Sequence, residues 1–161
     1  MKLISTVNAK TGFRWLAPLS RLFISFIFLV SGFSKIPFWS ATVTLMTLKG
    51  MPDSRLFLAL AILIEITCAA LILTGNRARF AAAFLFLYLI PVTLIFHDFW
   101  AFQGIERTMQ LVNFLKNLAI MGGLLHVVSL GAGAYSIDSL RENYLPVEKK
   151  TESKHRLRRV S

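Results

Sequence analysis

A set of charged and polar side chains lies within or beside long apolar runs of the sequence, where such groups are costly. The set comprises Arg21, Lys35, Glu65, His97, Asp98, Asn113, Lys116 and Asn117. Ammonium, guanidinium and amide groups can hold the polar head of a ligand, while carboxylate and imidazole groups can move protons. All of these residues are therefore candidates for ligand binding, and Glu65 and His97 are also the candidates for a catalytic role.

Lys116 stands inside an apolar run that is long enough to cross a bilayer. Roughly 20 helical residues span the hydrocarbon layer of about 30 Å, and the run from residue 110 to residue 133 exceeds this length. At about 100° per residue, Asn113, Lys116 and Asn117 share one arc of the helix. Because an intramembrane ionisable group needs protein around it, we expect this arc to face the interior of a bundle.

Glu65 and Arg21 also lie inside apolar runs, and their charges are opposite. The rise per residue places them about 5 Å apart in depth. An unpaired charge in the bilayer costs at least about 2.5 kcal/mol, so we expect Arg21 to pair with Glu65, and Lys116 to turn toward Glu65 or Asp98. Such a cluster either binds a ligand or a proton, or acts only as a clamp that fixes the register of the helices.

The elements that position these residues follow from composition and periodicity. The chain of 161 residues is 55% hydrophobic and 16% charged, which is far too apolar for a soluble domain. We predict an all-α, polytopic membrane protein with a four-helix bundle in residues 15–137, preceded by a polar head and followed by a basic tail, 1–14 and 138–161. The predicted spans are about 15–35, 55–74, 79–98 and 110–131, and residues 37–54 are predicted to hold a short re-entrant or surface helix.

Basic residues predict the orientation of the spans. The net charge of +10 is confined to the ends and the short connections, so it does not indicate nucleic-acid binding. If both termini are cytoplasmic, twelve of the 18 Lys and Arg residues lie on that side and four on the other, with Arg21 and Lys116 inside the layer. This asymmetry agrees with the positive-inside rule. We therefore predict cytoplasmic termini and a lipid bilayer as the first partner.

Several other chemistries lack support in the sequence. The single cysteine, Cys68, can form neither an internal disulfide nor a Cys-x-x-Cys pair. The histidines of the apolar runs, His97 and His126, fall on different predicted helices, so we predict no metal site. No Ser/His/Asp arrangement or phosphate-binding glycine loop is evident.

The order and spacing of several short motifs resemble the DoxX family. They are Arg21, SGFSK at 31–35, KGMP at 49–52, Glu65, LILTGNRAR at 71–79, HDFW at 97–100, NFLKNLAIMGG at 113–123 and GAGAYSID at 131–138. The resemblance implies a four-helix protein of the bacterial inner membrane, and some members are described as parts of membrane-associated oxidoreductase complexes. It also implies that the family's polar positions correspond to Arg21, Lys35, Glu65, His97, Asn113, Lys116 and Asn117.

These observations favour a small subunit of a redox-linked complex that binds a quinone head group in the outer half of the bundle. In that hypothesis Lys116 and Asn117 hold a carbonyl oxygen, His97 exchanges protons, and Arg21 with Glu65 forms the floor. Apart from such a quinone, we predict no cofactor within the chain. The sequence is compatible with a redox partner subunit and with a homo-oligomer. Two alternatives stay open: a non-catalytic assembly or cargo-binding membrane protein, and a proton-coupled transporter that uses Glu65. The sequence does not decide whether the protein is an enzyme.

Overall fold

The computed structural model describes residues 13–144, and within that range the chain forms helices and no strand. The elements are α1 Leu16–Lys35, α2 Trp39–Leu48, α3 Ser54–Thr74, α4 Ala78–Phe96, α5 Gly104–Leu130 and α6 Ile137–Tyr144. A 3₁₀ turn, Phe99–Ala101, follows α4. The prediction of an all-α fold is confirmed, and α2 is the short helix expected between the first two spans. Most of the predicted head and tail lies outside the described residues.

Four of the helical segments are long and apolar enough to cross a membrane. They are Leu16–Lys35, Ser54–Thr74, Ala78–Ala101 and Gly104–Leu130. Each carries large apolar side chains on its outer face, such as Phe23, Leu63 and Leu87, which are 62–68% exposed. Such a surface is stable in lipid and not in water. The predicted four-span membrane bundle is therefore confirmed.

The two ends of the bundle are built differently. We call the end formed by residues 75–77 and 131–144 the Gly75 end, and the end formed by residues 36–53 and 97–103 the Asp98 end. At the Gly75 end, α3 and α4 are joined by a tight turn in which Gly75 and Arg77 have positive φ angles of 66° and 51°. The carboxylate of Asp138 accepts hydrogen bonds from the backbone N–H groups of Arg77 and Ala78, at 2.8 and 3.0 Å. It thereby caps the first turn of α4.

Arg21 belongs to the Gly75 end, and the prediction that it pairs with Glu65 is wrong. Its guanidinium is buried and donates hydrogen bonds to the backbone oxygens of Ala134 and Tyr135, at 3.2 and 2.7 Å. Backbone carbonyls of the segment after α5 therefore take the place of Glu65 as partners of Arg21. Arg79 acts similarly at the end of α5, where it donates to the backbone oxygen of Ser129 at 2.7 Å.

The helices pack most closely toward the Gly75 end. The core there consists mainly of small or medium side chains of α3 and α4, all nearly inaccessible: Ala69, Ile72, Ala78, Ala81, Ala82 and Leu85. Small residues let two helices approach closely in a membrane. On the other side of α3, α1 crosses at Gly32, where an added Cβ would lie 2.8 Å from Cγ1 of Ile66. In this half α3 therefore packs closely against α4, and at the level of Glu65 it packs closely against α1.

The first helix ends well before its neighbour does. Gly32 contacts α3 at the level of Glu65, and α1 ends at Lys35, about 4.5 Å further on. The third helix extends about 16 Å beyond Glu65 to Ser54. The space beyond the end of α1 is covered by α2, which packs on α3 and whose Thr47 Oγ1 lies 3.0 Å from Ser54 Oγ. Because the short helix α2 covers this part of α3 in place of further turns of α1, a cavity forms between the helices.

Replacement of Gly75 tests how tightly the Gly75 end is packed. An added Cβ would overlap Arg21 Nη1 and Ser136 Cβ, and the φ angle of +66° disfavours any side chain. We expect Gly75→Ala to lower the midpoint of thermal unfolding in detergent, measured by circular dichroism, because left-handed strain of about 1–3 kcal/mol adds to the steric overlap.

Two alanine variants are the controls. Gly50 has a similar φ of +76° but open space around it, so Gly50→Ala reports strain without overlap. Gly122 lies in α5 with open space, so Gly122→Ala should be neutral or stabilising by up to about 1 kcal/mol. If Gly75→Ala and Gly50→Ala had the same midpoint of thermal unfolding, the close packing around Gly75 would be contradicted.

Candidate functional site

A cavity of about 820 Å³ lies between the helices, with Glu65 in its wall and α2 at the Asp98 end. Its lining is mostly apolar and includes Phe28, Leu58, Val92 and Ile120. The side chains with polar groups that line it are Ser31, Lys35, Thr42, Lys49, Glu65, Tyr88, His97 and Asn117. Four of the candidate residues from the sequence, Lys35, Glu65, His97 and Asn117, therefore share one cavity.

Glu65 is the centre of a buried polar cluster formed by Ser31, Lys35, Glu65 and Tyr88, which we call the Glu65 cluster. Only 3% of Glu65 is exposed. Lys35 Nζ lies 2.7 Å from Oε2 and 3.0 Å from Oε1, and the Tyr88 hydroxyl donates to Oε1 at 2.6 Å. The cluster thus joins α1, α3 and α4 through a single carboxylate.

The ammonium group of Lys35 is saturated by its neighbours. Besides Glu65, it contacts Ser31 Oγ at 2.5 Å and the Ser31 backbone oxygen at 3.2 Å, which accounts for its three N–H donors. A buried ion pair is stable only when the remaining polar valences are also satisfied, because burial removes the hydration of both charges. The Glu65 cluster meets this condition and carries no net charge while Lys35 and Glu65 are both ionised.

A second ion pair lies at the Asp98 end. Lys49 Nζ is 2.6 Å from Oδ1 of Asp98, and the two side chains are 23% and 22% exposed. Lys49 also lies over the ring of Phe102, 5.3 Å from its centroid. Pairs in which both partners keep contact with the surroundings contribute less to stability than pairs with a buried partner such as Glu65. This one nevertheless ties the end of α2 to the segment that follows α4.

His97 and Asn117 line the cavity from α4 and α5. His97 Nδ1 lies 3.0 Å from Oε1 of Gln110. A carboxamide oxygen only accepts hydrogen bonds, so Nδ1 of His97 is the donor in this contact. Asn117 Nδ2 donates to Oγ1 of Thr93 at 3.0 Å, and Thr93 donates to the backbone oxygen of Leu89 at 2.6 Å. Both side chains are therefore held in place by neighbours outside the Glu65 cluster.

Lys116 and Asn113 lie apart from the cavity, and the prediction that Lys116 turns toward Glu65 or Asp98 is wrong. Lys116 is exposed and contacts Oδ1 of Asn113 at 3.3 Å, beside a shallow depression on the outer surface of α5. Glu65 and Asp98 already have cations of their own, from α1 and from the end of α2. The arc that contains Lys116 is therefore split, with only Asn117 directed into the bundle.

Some residues of the site were not identified from the sequence. Tyr88 and Ser31 complete the Glu65 cluster, Lys49 neutralises Asp98, and Thr93 orients Asn117. One signal was available: Tyr88 lies in the middle of an apolar span, whereas tyrosines of membrane proteins concentrate at the interfaces. Another was the spacing of Ser31 and Lys35, which places them on the same side of a helix.

The fold and the cavity define a class, a small integral membrane protein whose four spanning helices enclose a partly polar cavity. The sequence model of the DoxX family matches residues 16–98. The chain is 31% identical to inner membrane protein YphA of Escherichia coli (strain K12) over 120 residues, 74% of this chain and 86% of that protein. It is 34% identical to inner membrane protein YqjF of the same organism over 121 residues, 75% of this chain and 88% of that protein. The protein belongs to the DoxX family, as its motifs predicted.

Similarity also reaches eukaryotic proteins, over a shorter stretch. The chain is 32% identical to the Surfeit locus protein 4 homolog of Schizosaccharomyces pombe over 84 residues, 51% of this chain and 28% of that protein. It is 33% identical to the ER-derived vesicles protein ERV29 of Saccharomyces cerevisiae over 70 residues, 44% of this chain and 23% of that protein. No solved structure matches the chain.

The Glu65 cluster predicts a characteristic response to the removal of charge. Lys35→Met leaves a buried carboxylate without its cation, which should lower the free energy of unfolding by about 3–5 kcal/mol. The double variant Lys35→Met, Glu65→Gln removes both charges, so it should lose clearly less than the sum of the two single variants. The measurement is unfolding of the purified protein by sodium dodecyl sulfate in mixed micelles, followed by circular dichroism.

Lys116→Met is the matched control, because Lys116 is an exposed lysine of another span. It breaks no ion pair among the described residues and removes a charge from the outer face of a span, so it should not lower the free energy of unfolding. Additive losses in the double variant, or an equal loss on replacing Lys116, would show that Lys35 and Glu65 do not form the pair described.

Proposed function

We propose that this protein binds a small, lipophilic molecule with a polar head group, of the quinone type, in the cavity beside Glu65. In this proposal it is a small subunit of a redox-linked complex in the bacterial inner membrane, and the redox centre belongs to a partner subunit. The observation that carries the proposal is the convergence of a few fixed polar groups on a largely apolar cavity inside a membrane bundle.

The size and lining of the cavity support a ligand of this kind. Cavities that bind small molecules usually measure about 300–1,000 Å³ and combine apolar walls with a few well-placed polar groups, and the volume here is about 820 Å³. An aromatic head group would pack between apolar side chains such as Phe28 and Ile120. Its oxygens would reach polar groups of the lining beside Glu65.

The polar groups suggest how a head group is held. Asn117 uses one amide hydrogen on Thr93, so its second hydrogen and its oxygen are available to a carbonyl or a hydroxyl. His97, which donates from Nδ1 to Gln110, would exchange protons through Nε2. Because Lys35 and Glu65 neutralise each other, the cluster favours an uncharged head group over an anion. Asn117 would thus still hold a carbonyl oxygen, and His97 would still exchange protons, as suggested from the sequence. The Glu65 cluster replaces Lys116 and Arg21 in this proposal.

Orientation is part of the proposal. We place both termini in the cytoplasm on the distribution of basic residues, which puts the Gly75 end inside and the Asp98 end outside. The two relatives from Escherichia coli are named as inner membrane proteins, and this supports the same membrane for the present chain. The cavity would then lie in the outer half of the bilayer, as proposed from the sequence.

A second candidate is a non-catalytic assembly or cargo-binding protein. It is favoured by the similarity to a protein named for ER-derived vesicles, which covers 44% of this chain. In that case Lys35, Glu65 and Tyr88 would only fix the packing of the helices, and the cavity would be incidental or would receive part of a protein partner.

Filling the cavity distinguishes the two candidates. Ala61 lines the cavity from α3, whereas Ala70 lies on the exposed side of the same helix. With radiolabelled ubiquinone-2 as the probe and purified protein in detergent, we expect Ala61→Phe to weaken binding by at least about tenfold, a loss of about 1.4 kcal/mol. Ala70→Phe and Lys116→Ala should bind as the wild type does, since neither changes the cavity.

The thermal unfolding midpoint of each variant shows whether the fold is retained. Undiminished binding by a folded Ala61→Phe protein would place the quinone outside the cavity. Absence of binding by folded wild-type protein, together with a large stability loss on replacing Glu65, would favour the second candidate.

A further inference from the structure

The cavity is covered by α2 at the Asp98 end. One side of this helix lines the cavity with Thr42, Leu45, Met46 and Lys49, which follow the helical spacing of three and four residues. Met46 is 5% exposed. The end of α2 is held by the ion pair between Lys49 and Asp98, at 2.6 Å. A helix and an ion pair therefore cover the cavity at this end, where Leu45 is 48% exposed.

The wall between α3 and α4 also carries exposed side chains, as do α1 at Ile27 and α2 at Leu45, which are 45% and 48% exposed. Phe57 and Leu60 of α3 line the cavity and yet are each 42% exposed. Pro91 of α4 also lines the cavity and is exposed. A side chain that belongs both to a cavity and to the outer surface lies at an opening. We call Phe57, Leu60 and Pro91 the rim.

The packing of α3 and α4 explains why an opening forms at this height. Near the turn at Gly75, the two helices meet through small, inaccessible residues such as Ala69, Ala78 and Ala82. Toward the Asp98 end the lining residues are larger, and α4 contains Pro91. Proline lacks the backbone N–H of the helical ladder and crowds the carbonyl four residues earlier, so it commonly bends a helix. Close contact near Gly75 and a proline toward the Asp98 end together favour a gap between α3 and α4 at the level of Pro91.

The depth of the rim determines what it faces. Leu60 lies about 7.5 Å along α3 from Glu65, and Pro91 lies about 4.5 Å along α4 from Tyr88. Glu65 is close to the middle of Ser54–Thr74, a helix that matches the thickness of the hydrocarbon layer. The rim is therefore within the hydrocarbon layer, where its outer surface meets lipid chains and not water.

We infer that the cavity exchanges its occupant sideways with the hydrocarbon layer, through the rim between α3 and α4. The inference rests on the proposed function and narrows its ligand class. The ligand is a molecule that dissolves in the bilayer, with its polar head at the Glu65 cluster and its apolar tail passing out between Leu60 and Pro91. A head group without a tail would lack the apolar contact at the rim.

Spin labelling of the cavity wall tests this access without using any quinone. A nitroxide is attached to Ala61→Cys in a Cys68→Ala protein reconstituted into phosphatidylcholine vesicles. Its collisions with oxygen, which concentrates in lipid, and with the water-soluble nickel complex NiEDDA are then measured. Labels at Leu63, which is 62% exposed on the lipid side of α3, and at the exposed loop residue Gln103 give the lipid and water references.

We expect the Ala61 label to collide with oxygen nearly as often as the Leu63 label does, and to be as well protected from NiEDDA. A rim substitution, Leu60→Trp, should lower the oxygen collisions at Ala61 severalfold. The matched substitution Leu63→Trp adds the same bulk next to the rim but outside the cavity, so it should leave them unchanged.

NiEDDA collisions at Ala61 as frequent as at Gln103 would show access from water and overturn the inference. Equal effects of Leu60→Trp and Leu63→Trp would overturn it as well, because the route would not pass the rim. The spin-label experiment uses no quinone, so its result does not depend on whether ubiquinone-2 binds. The inference of lateral access and the proposal of a quinone head group can therefore be refuted independently.

Discussion

The ion pair between Lys35 and Glu65 is the interaction on which the rest of the structure depends. A carboxylate with 3% of its surface exposed inside a membrane bundle needs a cation and further donors, and these come from α1 and α4. The requirement fixes the height of α1 against α3, because Lys35 is the last residue of α1 and reaches the carboxylate only when Gly32 lies against Ile66. At that height α1 does not reach the first turns of α3, and the cavity forms in this space.

The two ends of the bundle divide stability and binding between them. At the Gly75 end, Arg21, Arg79 and Asp138 bind backbone groups at turns and helix ends, and small side chains fill the interior. A smaller cavity of about 540 Å³ at this end is lined by residues of the turn at Arg77 and of the segment after α5. Toward the Asp98 end the residues that line the space between the helices are larger, and α4 contains Pro91. The polar groups there belong to a cavity, which is the arrangement that a ligand site between helices requires.

The sequence predicted the class of fold, the number of spans and the family, because apolar runs and motif order are local features. It also predicted a buried ion pair that includes Glu65. It assigned Arg21 in place of Lys35, because the depth argument treated every span as crossing the whole layer, whereas α1 ends beside Glu65. Lys116 was misplaced because its arc includes Asn117, and only contacts with α4 reveal which edge of that arc faces inward. Tyr88 contributes through its hydroxyl group alone. Hydropathy does not show whether such a tyrosine donates a hydrogen bond or only packs against its neighbours.

The central claim is that Lys35 and Glu65 form a direct ion pair inside the bundle. Solid-state NMR measures it most directly, as dipolar dephasing between lysine ¹⁵Nζ and glutamate ¹³Cδ in protein labelled at both positions and reconstituted in lipid. With Nζ and Oε2 separated by 2.7 Å, the account predicts strong dephasing of one lysine signal that disappears in Glu65→Gln. Dephasing that is the same with and without Glu65 would contradict it.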